Sequence, residues 1–300
     1  MTKLVQCIPN FSVGQESDKA IIEGLADILR NAAGCTLLDY SADASHNRSV
    51  FTFVGSPEAA ANAAVELVKF AARNIDMTKH SGEHPRMGAV DVIPFVPVKN
   101  MTMDEAVEVA KGVAERIWNE VKVPIFLYEE AATADNRKNL ATVRRGEFEG
   151  MAEKMQKKAW QPDFGEGAPH PTAGVTAVGA RQPLIAFNVN LSTNNLEIAN
   201  NIAKAVRGST AGLKFVKGIG IYIEERDMAQ VSMNLVNYEQ NPIYRVVELI
   251  RFEAARFGVQ IIGTELIGLA PAKALISSAE YYLQIENFDF DKQVLENHLL

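Results

Sequence analysis

Apolar positions recur along this chain with two periods, one near 3.6 residues and one near 2, so helices and strands are interleaved from end to end. Strand signals fall at 4–8, 35–40, 49–55, 90–95 and 124–128, and helical spacing falls at 18–32, 57–75 and 104–121. Pro57 stands in the first turn of its helix, where a missing N–H costs nothing. Residues 76–87 read as irregular. The stretch 133–158 is polar and basic with helical periodicity but weak apolar character, which predicts solvated helices lying across the first half. It is followed by GEGAPHPTAG at 165–174, whose three Gly and two Pro disfavour regular structure and predict a hinge, linker or ligand loop.

The second half parses as a strand at 184–191, a helix at 195–206 opened by Ser192, Thr193 and Asn194, and strands at 215–224 and 229–236 around a turn. A helix at 242–257 and a strand at 259–264 complete the order β-α-β-β-α-β, the ferredoxin-like arrangement. An amphipathic helix at 272–283 leads to a tail. The first half opens in the same order with insertions. The expected architecture is therefore α/β (α+β), with two βαββαβ-type subdomains at 1–179 and 180–300 joined near 165–182, although no sequence-level repeat links them.

Composition narrows the function. With 47% hydrophobic and 22% charged residues in 300, the chain can bury a sizeable core. Thirty Lys and Arg against 37 Asp and Glu leave a net charge of −7, which argues against nucleic acid as a partner and requires a local basic cluster for any anionic substrate. Cys7 and Cys35 form neither a disulfide framework nor a zinc set, which fits a reducing compartment. No run approaches the roughly 20 apolar residues of a membrane span, and the apolar stretch before Pro9 is too short for a signal peptide. The expectation is a cytoplasmic protein with no membrane partner.

Two of the five histidines fall in KHSGEHPRMGAVD at 79–91. His80-Ser81-Gly82-Glu83-His84 matches the H-x-x-E-H zinc expression, but Gly82 and Pro85 oppose the helix that would place both imidazoles on one face. His84 is either a loop histidine satisfied by backbone or an acid/base group whose ordinary pKa lies near the working pH. Asp43, His46, Asn47 and Arg48 form a second cluster, read equally as turn chemistry or as a carboxylate clamp through Arg48. Asn188 and Asn190 share one face of a strand, either solvated or able to read a flat heterocycle. Arg181, Lys214 and Lys217 flank strands that would line a cleft.

Taken together, CIPNFSVG at 7–14, HNRSVFTFVG at 46–55, HSGEHPRMGAVDVIPFVPV at 80–98, PDFG at 162–165, GARQPLIAFNVNL at 179–191, KGIGIYIEERDMAQVSMNL at 217–235 and GLAPAKAL at 268–275 resemble the glutamate formimidoyltransferase family. The same domain forms the N-terminal part of the bifunctional formiminotransferase-cyclodeaminases. The resemblance implies two ferredoxin-like subdomains with a substrate tunnel between them, a homodimer, and transfer of the formimino group from N-formimino-L-glutamate to N5 of tetrahydrofolate. Tetrahydrofolate would be a co-substrate and no metal is implied. The family's catalytic histidine falls on His84. Its folate-binding loop falls on Gly165, Glu166, Gly167, Ala168, Pro169, His170, Pro171, Thr172, Ala173 and Gly174, where HPTAG replaces a Trp-containing version. With the sequence ending near residue 300, the product is expected to pass to a separate cyclodeaminase.

Within that resemblance, Arg48 and Arg86 are the candidates to meet formiminoglutamate, and Lys214 and Lys217 the candidates to stand near the folate entrance, with Asn188 and Asn190 as further substrate-binding candidates. Formyl transfer from 5-formyltetrahydrofolate to glutamate on the same site, and a non-catalytic folate-binding role, stay open on the residues alone.

Overall fold

The computed structural model describes residues 2–82 and 85–298. Two compact units divide the chain, Met1–Arg181 and Gln182–Leu300. In the first, strands β1 (Leu4–Cys7) and β2 (Asn10–Phe11) lead to α1 (Lys19–Arg30), β3 (Cys35–Asp43), β4 (Arg48–Gly55), α2 (Pro57–Asn74) and β5 (Val90–Lys99). Helix α3 (Met103–Val121), strand β6 (Ile125–Glu129), helices α4 (Leu140–Arg144) and α5 (Glu147–Met155) and strand β7 (Thr176–Ala180) follow. β1 and β2 both lie between β4 and β5, and β3 adds outside β4. That is the ferredoxin-like strand order, extended by β7 parallel to β5 and β6 parallel to β7.

Strand β7 was not legible as a strand, because TAVGA is short and its small residues carry little β signal. It is fully buried at the centre of the extension. The apolar run of β6 has a clear cause: Ile125 and Leu127 join the core built with α1, α2 and α3, while Phe126 and Tyr128 join a second core on the opposite face. A strand covered on both faces loses polar alternation. The expected solvated helices over 133–158 are corrected here. Val143, Met151 and Met155 on α4 and α5 pack with Val92, Phe126, Tyr128 and Ala177, so these helices are the lid of that second core. Three apolar positions among many charges were enough to bury one side.

The second unit comprises β8 (Ile185–Leu191), α6 (Leu196–Val206), β9 (Val216–Ile223), β10 (Met228–Leu235), α7 (Ile243–Ala255) and β11 (Ile261–Ile267), with α8 (Ala272–Leu283) and a short α9 (Phe290–Gln293) behind. Its antiparallel order β11-β8-β10-β9 is the ferredoxin-like order that the sequence predicts, and the same order underlies the first unit. Asn195 caps α6, accepting the N–H groups of Glu197 and Ile198. Ile185, Phe187, Val189 and Leu191 of β8 face α6 and α7, leaving Asn188 and Asn190 on the other face. Among the described residues no helix is long and apolar enough to cross a membrane.

Candidate active site

The turn between β3 and β4 is built by its own polar residues. Asp43 Oδ1 accepts the His46 N–H at 2.8 Å, and Asn47 sits at φ +46, a left-handed conformation that asparagine tolerates. Asn47 then reaches outward, accepting the Gly14 N–H at 2.9 Å and donating to the Ser81 carbonyl at 2.8 Å. The segment before His84 therefore lies on this turn. A Cβ at Gly82 would stand 2.6 Å from the His46 carbonyl oxygen, so only glycine permits that approach. Glu83 and His84 themselves lie outside the described residues.

His80 is fully engaged. Its Nδ1 accepts the Arg86 Nε–H at 3.1 Å, which leaves the ring proton on Nε2, 3.0 Å from the Asn47 carbonyl oxygen. Its backbone is extended, at φ −78 and ψ 132. The zinc-helix reading thus lacks both a helix and an available nitrogen at His80. Among the described residues there is no group of three His, Cys, Asp or Glu placed to hold a metal ion.

Beyond residue 84 the chain is gripped from two sides. Arg86 donates to both carboxylate oxygens of Glu149, at 2.6 and 2.9 Å, and to Glu147 at 2.9 Å, while its carbonyl accepts the Phe148 N–H at 2.9 Å. Glu149 is the chief partner that raises the Arg86 pKa above its ordinary value. On the other side the Gly/Pro loop closes against the same segment. Val175 N–H donates to the Met87 carbonyl at 3.1 Å, Ala89 N–H to the Ala173 carbonyl at 2.9 Å, and Met77 N–H to the Thr172 carbonyl at 2.8 Å. Gly174, at φ +67, is required there, since a Cβ would fall 2.2 Å from the Met87 oxygen.

The loop is anchored at both ends. His170 Nδ1 accepts the N–H groups of Thr172 and Ala173 at 3.3 and 3.0 Å, and burial lowers its pKa, so the ring holds the turn as a neutral acceptor. At the other end, Asp163 accepts the Leu127 N–H at 2.7 Å and pairs with buried Arg137, fixing the entry to Gly165 on β6. Between them Ala168 N–H donates to the Glu166 carbonyl at 2.8 Å and the Gly167 carbonyl accepts from Gln156 at 2.9 Å, with Pro169 and Pro171 flanking His170. Structure thus brings the 165–174 loop and the 85–89 segment into direct contact.

Arg48, Arg86, His80, Asn47 and Asp91 line one small cleft. Arg48 donates to Asn10, and burial together with Arg144 lowers its pKa to about 10. Asp91 is 2% exposed; one carboxylate oxygen accepts the Met87 N–H at 3.0 Å and the other the Arg144 guanidinium. Tyr128, held at about 12 chiefly by burial, lies within the field of Arg181 and Arg144.

In the second unit, Asn190 donates to Glu265 at 2.9 Å and accepts from Gln230 at 2.6 Å, and Gln230 also donates to Glu265 at 3.1 Å. Asn188 contributes to the same network by lowering the Glu265 pKa as a lesser cause after Asn190. Lys214 and Lys217 are exposed, Lys214 placing its Nζ 5.0 Å from the centroid of the Phe215 ring.

Two family models cover almost the whole chain: "Formiminotransferase domain, N-terminal subdomain" matches residues 4–181, and "Formiminotransferase domain" matches 186–297. The chain belongs to the formiminotransferase family. It is 61% identical, over the full length of both chains, to a protein of Streptococcus pyogenes serotype M1 named "Glutamate formimidoyltransferase". A Thermoplasma acidophilum protein of the same name is 44% identical over 99% of this chain and 97% of its own. The Gallus gallus "Formimidoyltransferase-cyclodeaminase" is 45% identical over 95% of this chain, but that match spans 53% of the longer protein.

Family membership directs attention to residues that sequence reasoning passed over. Asp91, Arg144 and Glu149 all support the cleft or its loop. Asp91 was the legible one, since a single carboxylate inside AVDVIPF must be buried and a buried charge demands a partner. Nothing in the sequence names Arg144 as that partner, 53 positions away.

Proposed function

We propose that this chain moves the formimino group of N-formimino-L-glutamate to N5 of tetrahydrofolate, giving 5-formiminotetrahydrofolate and L-glutamate. The observation that carries the reading is the 61% identity, over the full length of both chains, to a relative named for that activity, on a fold whose residues Met87 and Ala89 bond to the end of the Gly/Pro loop. Tetrahydrofolate is a co-substrate here, the loop at 165–174 its seat, and the product passes to a separate cyclodeaminase. A homodimer working in the cytoplasm belongs to the same proposal.

The chemistry needs one group that takes a proton and returns it. N5 attacks the amidine carbon, forming a C–N bond and a tetrahedral adduct; the adduct then breaks its bond to the glutamate nitrogen, which must leave carrying a proton. Imidazole holds either protonation state near neutrality, so His84 can accept the N5 proton and deliver it to the leaving amine. Arg48 suits a substrate carboxylate, because a cation destabilised by burial and by Arg144 gains most from a new anion. Arg86 would have to trade Glu149 for substrate, so its first task is to hold the loop. Asn188, Asn190, Lys214 and Lys217 are proposed for the folate side. Holding both reactants in place supplies much of the rate, by removing translational and rotational entropy from the barrier.

The test is His84→Ala, assayed with formiminoglutamate and with a formyl donor in parallel. Turnover should fall about 10²–10⁴-fold while tetrahydrofolate affinity holds. Lost folate binding with turnover spared would remove His84 from the chemistry, and formyl transfer outrunning formimino transfer would change the donor.

A further inference from the structure

We propose that Lys154 is a positioning residue for the transfer reaction: from α5 it caps α4, and so holds Arg144 and Asp91 in the register that fixes the segment leaving His84. The proposal rests on the reading that His84 carries the chemistry.

Helix α4 has only five residues, far short of what is stable alone, and it ends at Arg145 with φ −55 and ψ 126, followed by Gly146 at φ +96. The last carbonyls of a helix have no partner within it. Lys154 supplies one. Its buried Nζ donates to the carbonyls of Thr142, Val143 and Arg145 at 2.9, 2.6 and 3.0 Å, and lies 3.9 Å from the centroid of the Trp160 ring. A cation at that end also meets the negative pole of the peptide dipoles.

The joint matters because each helix grips the loop. From α4, Arg144 reaches Asp91, whose other oxygen accepts the Met87 N–H at 3.0 Å. From the start of α5, Glu147 and Glu149 hold the Arg86 guanidinium, and the Phe148 N–H donates to the Arg86 carbonyl at 2.9 Å. Residues 86 and 87 are thus held by different helices. Lys154 makes those helices one body.

The charged groups that act on Lys154 are cations: Arg145 at the end of α4, and Lys157 just past the end of α5, with Glu153 turned toward Lys157. Arg144 is committed to Asp91. Burial first, then Arg145 and Lys157, pushes the Lys154 pKa down to about 8. Above that pH the neutral amine has two hydrogens for three carbonyls, so one of its hydrogen bonds to the end of α4 is lost. The sign of the linkage separates this from unfolding. With a folded pKa below the unfolded one, the unfolded chain binds the extra proton from about pH 8 up to the ordinary lysine value, so this group raises stability with pH there. Activity should fall where this group does not lower the melting temperature.

The experiment follows kcat, KM and melting temperature from about pH 6.5 to about 9.5 for the wild type, Lys154→Arg and Lys154→Met, with amide exchange at Met87 measured alongside. The wild type should lose kcat on the alkaline side near pH 8 without a matching fall in melting temperature, and Lys154→Arg, permanently charged, should lack that limb. Lys154→Met should lower kcat by about 10- to 100-fold, hold tetrahydrofolate KM within about twofold, and speed exchange at Met87. A flat wild-type profile, an unchanged limb in Lys154→Arg, or unaltered Met87 exchange in Lys154→Met overturns the proposal. Should Lys154→Met fail to fold, the Lys154→Arg profile decides. Full activity in His84→Ala would instead sink the functional reading, and Met87 exchange would still judge the joint.

Discussion

The two units share a βαββαβ frame and differ in what covers the second face of the sheet. In the first, α4 and α5 close over that face, and beneath or beside them lie ion pairs with almost no water: Asp91 with Arg144, at 3% and 15% side-chain exposure, and Asp163 with Arg137, at 7% and 8%. In the second, α6 and α7 cover one face only, and the Glu265 and Arg226 partners on β11 and in the β9–β10 turn keep 35% and 51% exposure. The frame is common property. What distinguishes the candidate site is an added layer that removes water from charged groups, which makes their attraction strong and their separation costly.

That contrast predicts a ranking. Arg144→Met should have the largest effect on stability, about 3–5 kcal/mol in a urea titration, because it strands the Asp91 carboxylate in a dry site. Adding Asp91→Asn to it should return most of that loss, since asparagine still accepts the Met87 N–H and carries no charge. A loss below about 1 kcal/mol for Arg144→Met would place this pair with ordinary surface pairs and erase the contrast. Next comes Gly174→Ala. The left-handed φ of +67 alone costs about 1–2 kcal/mol, and the new methyl meets the Met87 oxygen, so the melting temperature should fall and tetrahydrofolate KM should rise. An unchanged KM would detach the Gly/Pro loop from folate.

How much of this was readable in advance follows the same divide. The second unit is legible in its element order, because local signals determine it: polar residues mark the start of α6, although the cap is Asn195 and not the expected Ser192, Thr193 and Asn194, a charged turn separates β9 from β10, and alternation along β8 sorts core from polar face. In the first unit the helices α1 to α3 and strands β3 to β6 are legible for the same reason. Strand β7 and the role of α4 and α5 are not. Their place depends on contacts between distant segments, such as Arg144 with Asp91 and Ala173 with Ala89, which periodicity does not encode. The motif PDFG at 162–165 shows the limit well: it can be quoted, yet only the Leu127 N–H and Arg137 on Asp163 explain why an acid stands there.

The smallest expected effect is in the second unit, and it is the sharpest check on the comparison. Arg226→Ala removes a partner at 2.9 Å from Glu265, but that carboxylate keeps its hydrogen bonds from Asn190 and Gln230. Asn190 is also the first cause of the lowered Glu265 pKa, with Arg226 a lesser one. A carboxyl held below its ordinary value contributes stability above the unfolded pKa and loses it as pH falls through the folded one, so the acid limb of the stability curve should scarcely move in the variant. The loss at neutral pH should stay within about 1 kcal/mol and shrink as salt is added, as for an exposed pair. A loss of several kcal/mol that salt leaves untouched would mean that water is excluded from Glu265 as it is from Asp91. The polar face of the second unit would then belong with the dry chemistry of the first, and Asn188 and Asn190 would rise from supporting candidates to the most exacting part of the site.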